Sequence, residues 1–395
     1  MKRQEIGDYY RNHLLNEVMP FWEVRTRDEE CGGYLTCFDR QGNVTDRTKY
    51  VWFQARQLYM FSALYNQMEP SSKWLDLAKH GRDFLVAHAY AGDGRWQYQL
   101  DRNGAVEKGT ISIYTDMFLL QGLSEYAVAS GSDEDRTLIE ETMAGIEKNV
   151  TDPEFKDIFH GTWNPRYKRH GIHMISINTA DVVSQVLGRD RTRSLIDYCI
   201  HAVLFEFAKD EFEALFESIG RDGAIIDDEE GRILDPGHAL ESAWFCIAEG
   251  RLRGDQTIID RAIQVAEWTY RRGHDGEHGG IFAFLDASGK EPRQKDWHKE
   301  ANIMWHDKCW WANSEALYTL ALCAVQTGDT TWWNRFEKLH TFCREHFYDP
   351  EFGEWYPELY RDGSVKLSDK GTLWKAAYHL PRSLMQIALL FENHE

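Results

Sequence analysis

Two short segments of the chain place a histidine beside a charged residue at helical spacing. In residues 235–244, His238 is followed three positions later by Glu241, and near the C-terminus His379 is followed at the same spacing by Arg382. Residues three apart share one face of an α-helix. A neutral imidazole can remove a proton near pH 7, because its unperturbed pKa is close to that value. The pattern predicts a site with two acid/base histidines on two helices.

Further candidates lie in other apolar segments. Arg56 follows Trp52 by four positions on an otherwise apolar helix. A buried arginine needs either a structural carboxylate or a polar cavity in which it holds an oxyanion, and the helix alone leaves both readings open. Lys308, Trp311 and Glu315 share one stripe through a three-then-four spacing, which fits either a lone ion pair or the floor of a pocket.

Six turns that contain glycine divide the chain into units of similar length. Their marker glycines are 57 to 73 residues apart, which predicts a structural repeat. The markers are Gly33, Gly94, Gly161, Gly223, Gly280 and Gly353. Each unit has a more polar helix before the turn and a more apolar, aromatic helix after it.

The helix periodicity predicts an all-α fold. The polar helices are expected at residues 5–24, 73–88, 133–148, 191–209, 257–271 and 332–346. The apolar helices are expected at residues 50–65, 113–128, 174–187, 238–247, 310–325 and 373–391. A helix with one polar face lies outside, and a helix that is apolar nearly all round lies inside. Six such pairs predict an (α/α)6 barrel with six inner and six outer helices.

This architecture predicts the position of the site. Each turn connects an outer helix to the next inner helix, so the inner helices begin at one end of the barrel and converge on one pocket. The residues expected there are Arg56, Tyr114, Met174, His238, Lys308 and His379. Short β-hairpins are expected around the mouth at residues 34–45, 96–106, 281–289 and 355–365. Exposed Trp and Tyr side chains in the turns would suit the apolar faces of a sugar ring.

The composition fits one soluble domain. The 395 residues contain no linker rich in Gly and Ser, so residues 1–395 are predicted to form a single domain. The net charge of −19 argues against nucleic acid or an anionic membrane as a partner. The N-terminal residues lack an apolar signal core, no apolar run approaches membrane-spanning length, and the cysteines do not resemble a disulfide framework. A cytoplasmic protein is expected.

Several motifs of other enzyme classes are missing from the sequence. There is no GxSxG elbow, no phosphate-binding GxxxxGK[ST], no dinucleotide-binding GxGxxG after a strand and no HExxH zinc helix. Acid/base chemistry without a cofactor or a metal is therefore expected.

Six segments in order along nearly the full chain resemble motifs of the N-acylglucosamine 2-epimerase family, which includes cellobiose and mannose 2-epimerases and aldose-ketose isomerases. The segments are residues 31–40, 49–57, 235–244, 310–315, 349–355 and 379–382. The resemblance implies an (α/α)6 barrel, His238 and His379 as the acid/base pair, and Arg56 as the group that steadies the substrate oxygen. The supporting active-site residues that it implies are Glu241, Glu315 and Arg382.

One segment departs from the family pattern. Cellobiose epimerases and mannose isomerases carry a further histidine in an Asn-x-His-x-His-like segment of the third inner helix, whereas this region has His173, Met174 and Asn178. The difference favours the acylglucosamine-type branch, although a shifted alignment would restore the role to His173. Residues 166–170, which precede it, are unusually basic for this acidic chain and are expected to contact an acyl or anionic substituent.

The expected reaction is reversible epimerisation at C2 of a reducing aldose, with a small-molecule sugar as the substrate. One histidine removes the C2 proton to give an enediol or enediolate, the other returns a proton to the opposite face, and Arg56 stabilises the oxygen. Glu241 and Arg382 are expected to orient His238 and His379.

Three alternatives to this reaction stay open. An aldose-ketose isomerase would deliver the proton to C1. A glycoside hydrolase would need two carboxylates that flank a glycosidic bond. A protein-binding role is the third, because mammalian members of the resembled family were also described as renin-binding proteins. A homodimer is also left open.

Overall fold

Six helices that are buried on nearly all sides form an inner ring. The computed structural model describes residues 3–158 and 164–392. Inner helices 1 to 6 are Val51–Gln67, Ile113–Ser130, His170–Leu187, Pro236–Arg253, Trp310–Thr327 and His379–Glu392. In inner helix 5, every residue of 310–324 except Trp311 is buried. A helix with this pattern needs protein around its whole circumference, which the barrel provides.

Six helices with one exposed face surround this ring. Outer helix 1 consists of Arg3–Asn12, a π-helical turn at His13–Val18, and Met19–Glu23. Outer helices 2, 3, 5 and 6 are Ser72–His88, Arg136–Thr151, Gln256–Gly273 and Thr330–His346, and outer helix 4 is Arg189–His201 with a π-helical turn at Ala202–Phe207. Outer helices 2 to 6 each pack on the preceding inner helix, and outer helix 1 packs on inner helix 6. The circle is therefore closed.

The predicted (α/α)6 barrel is confirmed, with three helix boundaries that differ from the prediction by four residues or more. Inner helix 3 begins at His170 rather than at residue 174, and inner helix 4 continues past residue 247 to Arg253. Inner helix 6 begins only at His379, because the Thr372 hydroxyl accepts the backbone N–H groups of residues 374 and 375 and holds a compact turn there. The five marker glycines within the described residues have φ from 64° to 82°, the left-handed region that glycine adopts freely. Gly161 lies outside the described residues.

Three of the four predicted hairpins are confirmed. Their antiparallel strand pairs are Cys37–Phe38 with Val44–Asp46, Gln99–Leu100 with Val106–Lys108, and Glu358–Leu359 with Val365–Leu367. The prediction for residues 281–289 is wrong, because its strand Leu285–Asp286 pairs with Ile233–Leu234 from the preceding repeat. The backbone groups that a local hairpin would use for its hydrogen bonds are thus paired with the strand Ile233–Leu234.

Other strand pairs join neighbouring repeats at the mouth. Lys49–Tyr50 pairs with Gln99–Leu100, Tyr167–Arg169 pairs with Ser218–Gly220, and Lys308–Cys309 pairs with Glu358–Leu359. The mouth is therefore built from short sheets that hold consecutive inner-helix starts beside one another. Within the described residues, no helix is both long and apolar enough to cross a membrane.

A buried ion-pair triad recurs at three junctions between repeats. In each triad an aspartate in the glycine turn pairs with a fully buried lysine of its own repeat and with an arginine from the hairpin of the next repeat. The triads are Asp28 with Lys49 and Arg102, Asp275 with Lys308 and Arg361, and Asp349 with Lys370 and Arg40. The third triad joins repeat six to repeat one, so the ring closes through the same contact that links other neighbours.

Candidate active site

The first two turns of all six inner helices line one cavity of about 1210 Å³. Because the sheets at the mouth hold these helix starts together, side chains far apart in sequence face the same space. The predicted site residues in its wall are Trp52, Arg56, Tyr114, His173, Met174, His238, Glu241, Trp311 and His379. A cavity of this size in an otherwise close-packed barrel has room for a sugar-sized ligand.

His379, the first residue of inner helix 6, is held by a carboxylate from inner helix 5. Its Nδ1 lies 2.8 Å from Glu315 Oε1, and Glu315 Oε2 accepts a hydrogen bond from Trp244 Nε1 at 2.8 Å. One turn later, Arg382 donates through Nη2 to Glu315 Oε1 at 2.6 Å and also to Glu241 Oε1. With Nδ1–H donating to Glu315, the neutral ring of His379 keeps a lone pair on Nε2.

His379 is neutral even though two carboxylates are near it. Burial lowers the pKa of His379 well below its usual range, Glu241 raises it, and the cations of Arg56 and Arg382 lower it further. The carboxylate of Glu241 is 3.9 Å from His379 Nδ1, but its charge is shared with Arg382. A neutral imidazole that keeps a free lone pair is a proton acceptor.

His238 has different surroundings, with two carboxylates that form no ion pair with a Lys or Arg of the described chain. Its Nδ1 lies 3.2 Å from Glu217 Oε1 and 3.6 Å from Asp235 Oδ2, and its backbone N–H donates to Asp235 Oδ1 at 3.0 Å. Burial by itself lowers the pKa of His238, but Asp235 and Glu217 outweigh burial and raise it to about 10. His238 is therefore an imidazolium at neutral pH, which can donate a proton.

Glu217 is fixed between two histidines. Besides His238, its Oε1 lies 3.2 Å from Nδ1 of His170, whose Nε2 is 2.8 Å from Ser242 Oγ. Burial raises the pKa of the Glu217 carboxyl, yet the charges and hydrogen bonds of His238 and His170 lower it well below its usual range. Glu217 is therefore ionised when it faces His238.

Arg56 presents an unpaired guanidinium to the cavity. Only 8% of the residue is exposed, its Nε has no hydrogen-bond partner, and no carboxylate of the described residues forms an ion pair with it. The rings of Phe118, Trp52 and Tyr378 surround it, with centroids 4.0, 4.8 and 4.8 Å from Cζ. Burial is the main reason that the pKa of Arg56 falls to about 10, which still leaves it charged at pH 7. Of the two alternatives for Arg56, a structural ion pair or a cation that faces a cavity, the structure shows the second.

An indole ring links the two histidines. The Trp311 ring lies 5.0 Å from the His238 ring and 5.6 Å from the His379 ring, measured between centroids. The two imidazoles therefore flank one aromatic surface, and a ligand on that surface can contact both.

The third inner helix contributes apolar and neutral groups. Met174 lines the cavity, and so does His173, whose Nδ1 lies 3.0 Å from the carbonyl oxygen of Arg169. Burial lowers the pKa of His173 to about 3, so the ring is neutral, and its Nε2 has no partner. His173 is placed to contact a ligand but not to carry charge.

Four predicted site residues do not line the cavity. Two of them, Glu315 and Arg382, belong to the hydrogen-bond network of His379, and the other two are Lys308 and Asn178. Lys308 belongs to one of the three junction triads, with Nζ 3.1 Å from Asp275 Oδ2, and none of its side chain is exposed. Its helical stripe with Trp311 does not form, because residue 308 is in a strand that ends before inner helix 5 begins. Asn178 lies two turns into inner helix 3, is buried, and does not line the cavity.

The prediction that Glu241 orients His238 is wrong. Although the two residues share a helix, Glu241 binds Arg382, and its nearest histidine is His379. Asp235 and Glu217 are the carboxylates beside His238. Asp235 could have been identified from the sequence as an N-cap before a proline at the first helical position. Glu217 follows no helical spacing, so no local signal marks it.

The basic segment before inner helix 3 is neutralised by the protein itself. Arg166, Lys168 and Arg169 line the cavity, but each forms an ion pair, with the N to O distances 3.2, 2.6 and 2.5 Å. Their partners are Asp228, Glu206 and Glu230. The predicted contact between this segment and an anionic substituent would have to compete with these carboxylates.

One cluster has the spacing of a metal site. Ligand atoms of Glu241, Glu315 and His379 lie within 4.8 Å of one another. However, Nη2 of Arg382 already donates to both carboxylates. The guanidinium supplies the positive charge that a cation would bring, so this donor set does not fit a metal ion.

Known proteins share both the sequence pattern and this architecture. The profile of the N-acylglucosamine 2-epimerase (GlcNAc 2-epimerase) family matches residues 33–382. The N-acylglucosamine 2-epimerase of Bos taurus is 31% identical over 393 residues, which cover 96% of this chain and 90% of that protein. The cellobiose 2-epimerase structure from Bacillus thermoamylovorans B4167 superposes with a TM-score of 0.84 at 19% identity, covering 98% and 99% of the two chains.

A D-mannose isomerase structure also has a TM-score of 0.84, at 18% identity and with coverage of 96% and 97%. The barrel is thus the one that these sugar epimerases and isomerases use. The chain belongs to the N-acylglucosamine 2-epimerase family, and it is an isomerase of the epimerase class.

Proposed function

We propose that the protein interconverts C2 epimers of a reducing aldose by moving a proton between two histidines. The observation that carries this proposal is the opposite charge state of two histidines that flank one indole ring: His379 neutral and His238 protonated. Two groups whose surroundings push their pKa values apart are suited to serve as the base and the acid of one reaction.

In the proposed first step, Nε2 of His379 removes the proton from C2 of the ring-opened sugar. The electrons of the C2–H bond form the C1–C2 double bond of an enediolate, and negative charge moves to the C1 oxygen. Arg56 lines the cavity and forms no ion pair with any described carboxylate, so its guanidinium is available to stabilise that oxygen. Charge stabilisation of this kind contributes most where, as here, the donor is buried and fixed before the reaction.

In the second step, His238 donates its proton to C2 from the opposite face. The C2–H bond forms, the C1 carbonyl is restored, and the configuration at C2 is inverted. One proton has then moved from His238 to His379, and exchange with water restores the starting state. The reverse reaction uses the same two groups with their roles exchanged.

We infer that the substrate is either an N-acylglucosamine/N-acylmannosamine pair or a glucose/mannose pair. Residues 173–178 lack the Asn-x-His-x-His-like pattern that is expected in cellobiose epimerases and mannose isomerases, which favours the N-acylated sugars. The 31% identity to the N-acylglucosamine 2-epimerase of Bos taurus supports the same choice.

The test is incubation of N-acetylglucosamine, N-acetylmannosamine, glucose, mannose and cellobiose with the protein in deuterated water, followed by NMR of the products. Deuterium at C2 together with the C2 epimer is the expected result. His379→Asn should abolish the exchange, whereas the matched variant His201→Asn, on the exposed side of outer helix 4, should retain it.

Other products would identify the alternatives. A ketose would show that the enediolate is protonated at C1, and a cleaved glycosidic bond would show hydrolysis. Hydrolysis is disfavoured, because Glu241 and Glu315 are bound to Arg382 and Glu217 to histidines, so these carboxylates do not form a free pair across the indole. If no aldose exchanges label at C2, the proposed reaction is wrong, and binding to a protein partner becomes the function to test.

A further inference from the structure

One carboxyl in the cavity wall is left without a partner. Nine of the ten Asp and Glu residues that line the cavity within the described chain accept a hydrogen bond or form an ion pair. The tenth, Glu358, has neither, although only 6% of it is exposed. Buried polar groups are almost always hydrogen-bonded, so an unpartnered one that lines a cavity points to a ligand.

The fold directs this side chain into the cavity. Glu358 and Leu359 form a short strand between the strands Lys308–Cys309 and Val365–Leu367. Successive side chains of a strand point to opposite faces. Leu359 is fully buried in the core, so Glu358 faces the cavity.

An unpartnered donor lines the same cavity, on the backbone segment next to that of Glu358. The indole Nε1–H of Trp310 is buried and has no hydrogen-bond partner, and Trp310 also lines the cavity with 4% of it exposed. The backbone N–H of Trp310 donates to the carbonyl oxygen of Pro357 at 2.9 Å, and Cys309 is paired with Glu358 in the sheet. The two side chains therefore leave adjacent backbone segments.

We propose that Glu358 and Trp310 form a specificity subsite that binds one hydroxyl group of the sugar remote from C1 and C2. An indole N–H can only donate. Burial raises the pKa of Glu358 to about 7, and its carboxyl can only accept when it is ionised. A hydroxyl satisfies both groups, because it accepts from Trp310 and donates to Glu358. An acyl carbonyl or a phosphate would satisfy the indole but not the carboxylate.

The position of the pair explains why the hydroxyl is remote from the reacting carbon. His238, His379 and Arg56 lie in helix turns, whereas Glu358 lies on a strand at the mouth. The subsite is then a positioning element for the proposed reaction, on which this inference rests. It holds the far end of the sugar while C2 lies between the histidines.

The test measures binding and turnover of the sugar that exchanges label at C2, together with its 3-, 4- and 6-deoxy derivatives. The wild-type protein should bind one deoxy derivative about 5- to 100-fold more weakly than the parent sugar, because the buried donor and acceptor are then left unsatisfied. Glu358→Leu and Trp310→Phe should each raise KM by a similar factor with a much smaller change in kcat. Each variant should also lose the discrimination between the parent sugar and that derivative.

Two control variants separate loss of the subsite from misfolding and from unspecific effects of a substitution. Glu358→Gln keeps the side-chain shape if the leucine variant does not fold, and it should show weakened binding of the parent sugar with a normal circular dichroism spectrum. Glu345→Gln, at an exposed position of outer helix 6, should behave as wild type.

The inference and the proposed reaction fail in different ways. If label exchange at C2 persists but all Glu358 and Trp310 variants keep both KM and the discrimination, the subsite is refuted and the reaction stands. If sugars bind with the expected discrimination but no C2 exchange occurs, the subsite stands and the reaction is refuted. If calorimetry detects no binding of any of the sugars, both are refuted.

Discussion

Glu217→Gln tests the charge state on which the proposed mechanism depends. The substitution removes the negative charge that faces His238 and keeps the size of the side chain. The amide can still bond to His170, so the local packing is preserved. Asp235 remains as the other carboxylate beside His238, at 3.6 Å. We expect the pKa of His238 to fall.

The size of the fall follows from the geometry. For unit charges 3.2 Å apart, Coulomb's law with an effective dielectric constant of about 20 gives roughly 5 kcal/mol. One pKa unit corresponds to about 1.4 kcal/mol, so the upper limit is roughly 3 to 4 units. The His238 side chain is 30% exposed, and water screens part of the interaction. A fall of about 2 units is therefore expected, which moves the pKa from about 10 to about 8.

The assay is the pH dependence of kcat/KM for the epimerisation. An acid that must be protonated gives an alkaline limb at its pKa, so that limb should move from about pH 10 to about pH 8 in the variant. Histidine side-chain NMR of protein labelled with ¹⁵N-histidine measures the same pKa directly, with the His238 signal assigned by its absence from His238→Asn. Asp296→Asn is the matched control, since Asp296 lines the cavity but pairs with Lys299.

The reasoning is refuted if the alkaline limb and the His238 titration stay in place in Glu217→Gln. That result would mean that Glu217 does not set the charge of His238, and that the acid in the reaction is another group. A lower kcat with an unchanged pH profile would assign Glu217 a purely structural role through His170.

Three further predictions follow from the same structure. Arg56→Met should lower kcat/KM by about 100- to 1000-fold, the usual effect of removing a preorganised donor to an oxyanion, without unfolding the protein; steady-state kinetics and the thermal midpoint test this. Lys308→Met should lower the free energy of unfolding by about 3 kcal/mol, because it breaks a buried ion pair. It should leave kcat unchanged. A large loss of kcat in a folded variant would mean that Lys308 acts in the active site after all. Asp349→Asn should reduce the loss of stability in acid. Arg40 and Lys370 hold the pKa of Asp349 below its usual range, so the ionised carboxylate stabilises the fold. That contribution is complete above the unfolded pKa of about 3.9 and is lost as pH falls through that value toward the folded pKa. Urea unfolding from pH 5 to pH 2 measures this change, and an acid limb identical to wild type would contradict it.

The sequence predicted the parts of the site that follow helical spacing. His238 and His379 were predicted because each is followed three residues later by a charged residue, and the repeat of glycine turns places both at one end of the barrel. Arg56 was identified as a buried cation, but its role depended on whether a carboxylate lies near it, which is a question about other helices. The sequence therefore leaves both roles of Arg56 possible, and the positions of the other helices decide between them.

Contacts between repeats were not predictable from local patterns. Lys308 was placed in the site because of its spacing from Trp311, yet strand pairing moves it out of the helix and into a triad with Asp275 and Arg361. The partner arginine comes from the next repeat, more than fifty residues away. Glu217 was missed for the same reason, since its relation to His238 depends on the path of an irregular segment.

The difference between the two histidines does not come from the barrel symmetry. Both lie in the first turn of an inner helix, where the positive end of the helix dipole disfavours an imidazolium. Both also have two carboxylates nearby, Glu217 and Asp235 for His238, and Glu315 and Glu241 for His379.

Two features distinguish them. The His379 side chain is the more buried, with 10% of it exposed against 30% for His238. Arg382 also binds both carboxylates of His379, whereas no described Lys or Arg forms an ion pair with the two carboxylates beside His238. We propose that Arg382 adds to this difference, because its guanidinium neutralises the carboxylates beside one histidine and does not bind those beside the other. Different surroundings push the pKa values of the two histidines apart, which favours one base and one acid for the proposed transfer between the two faces of a sugar.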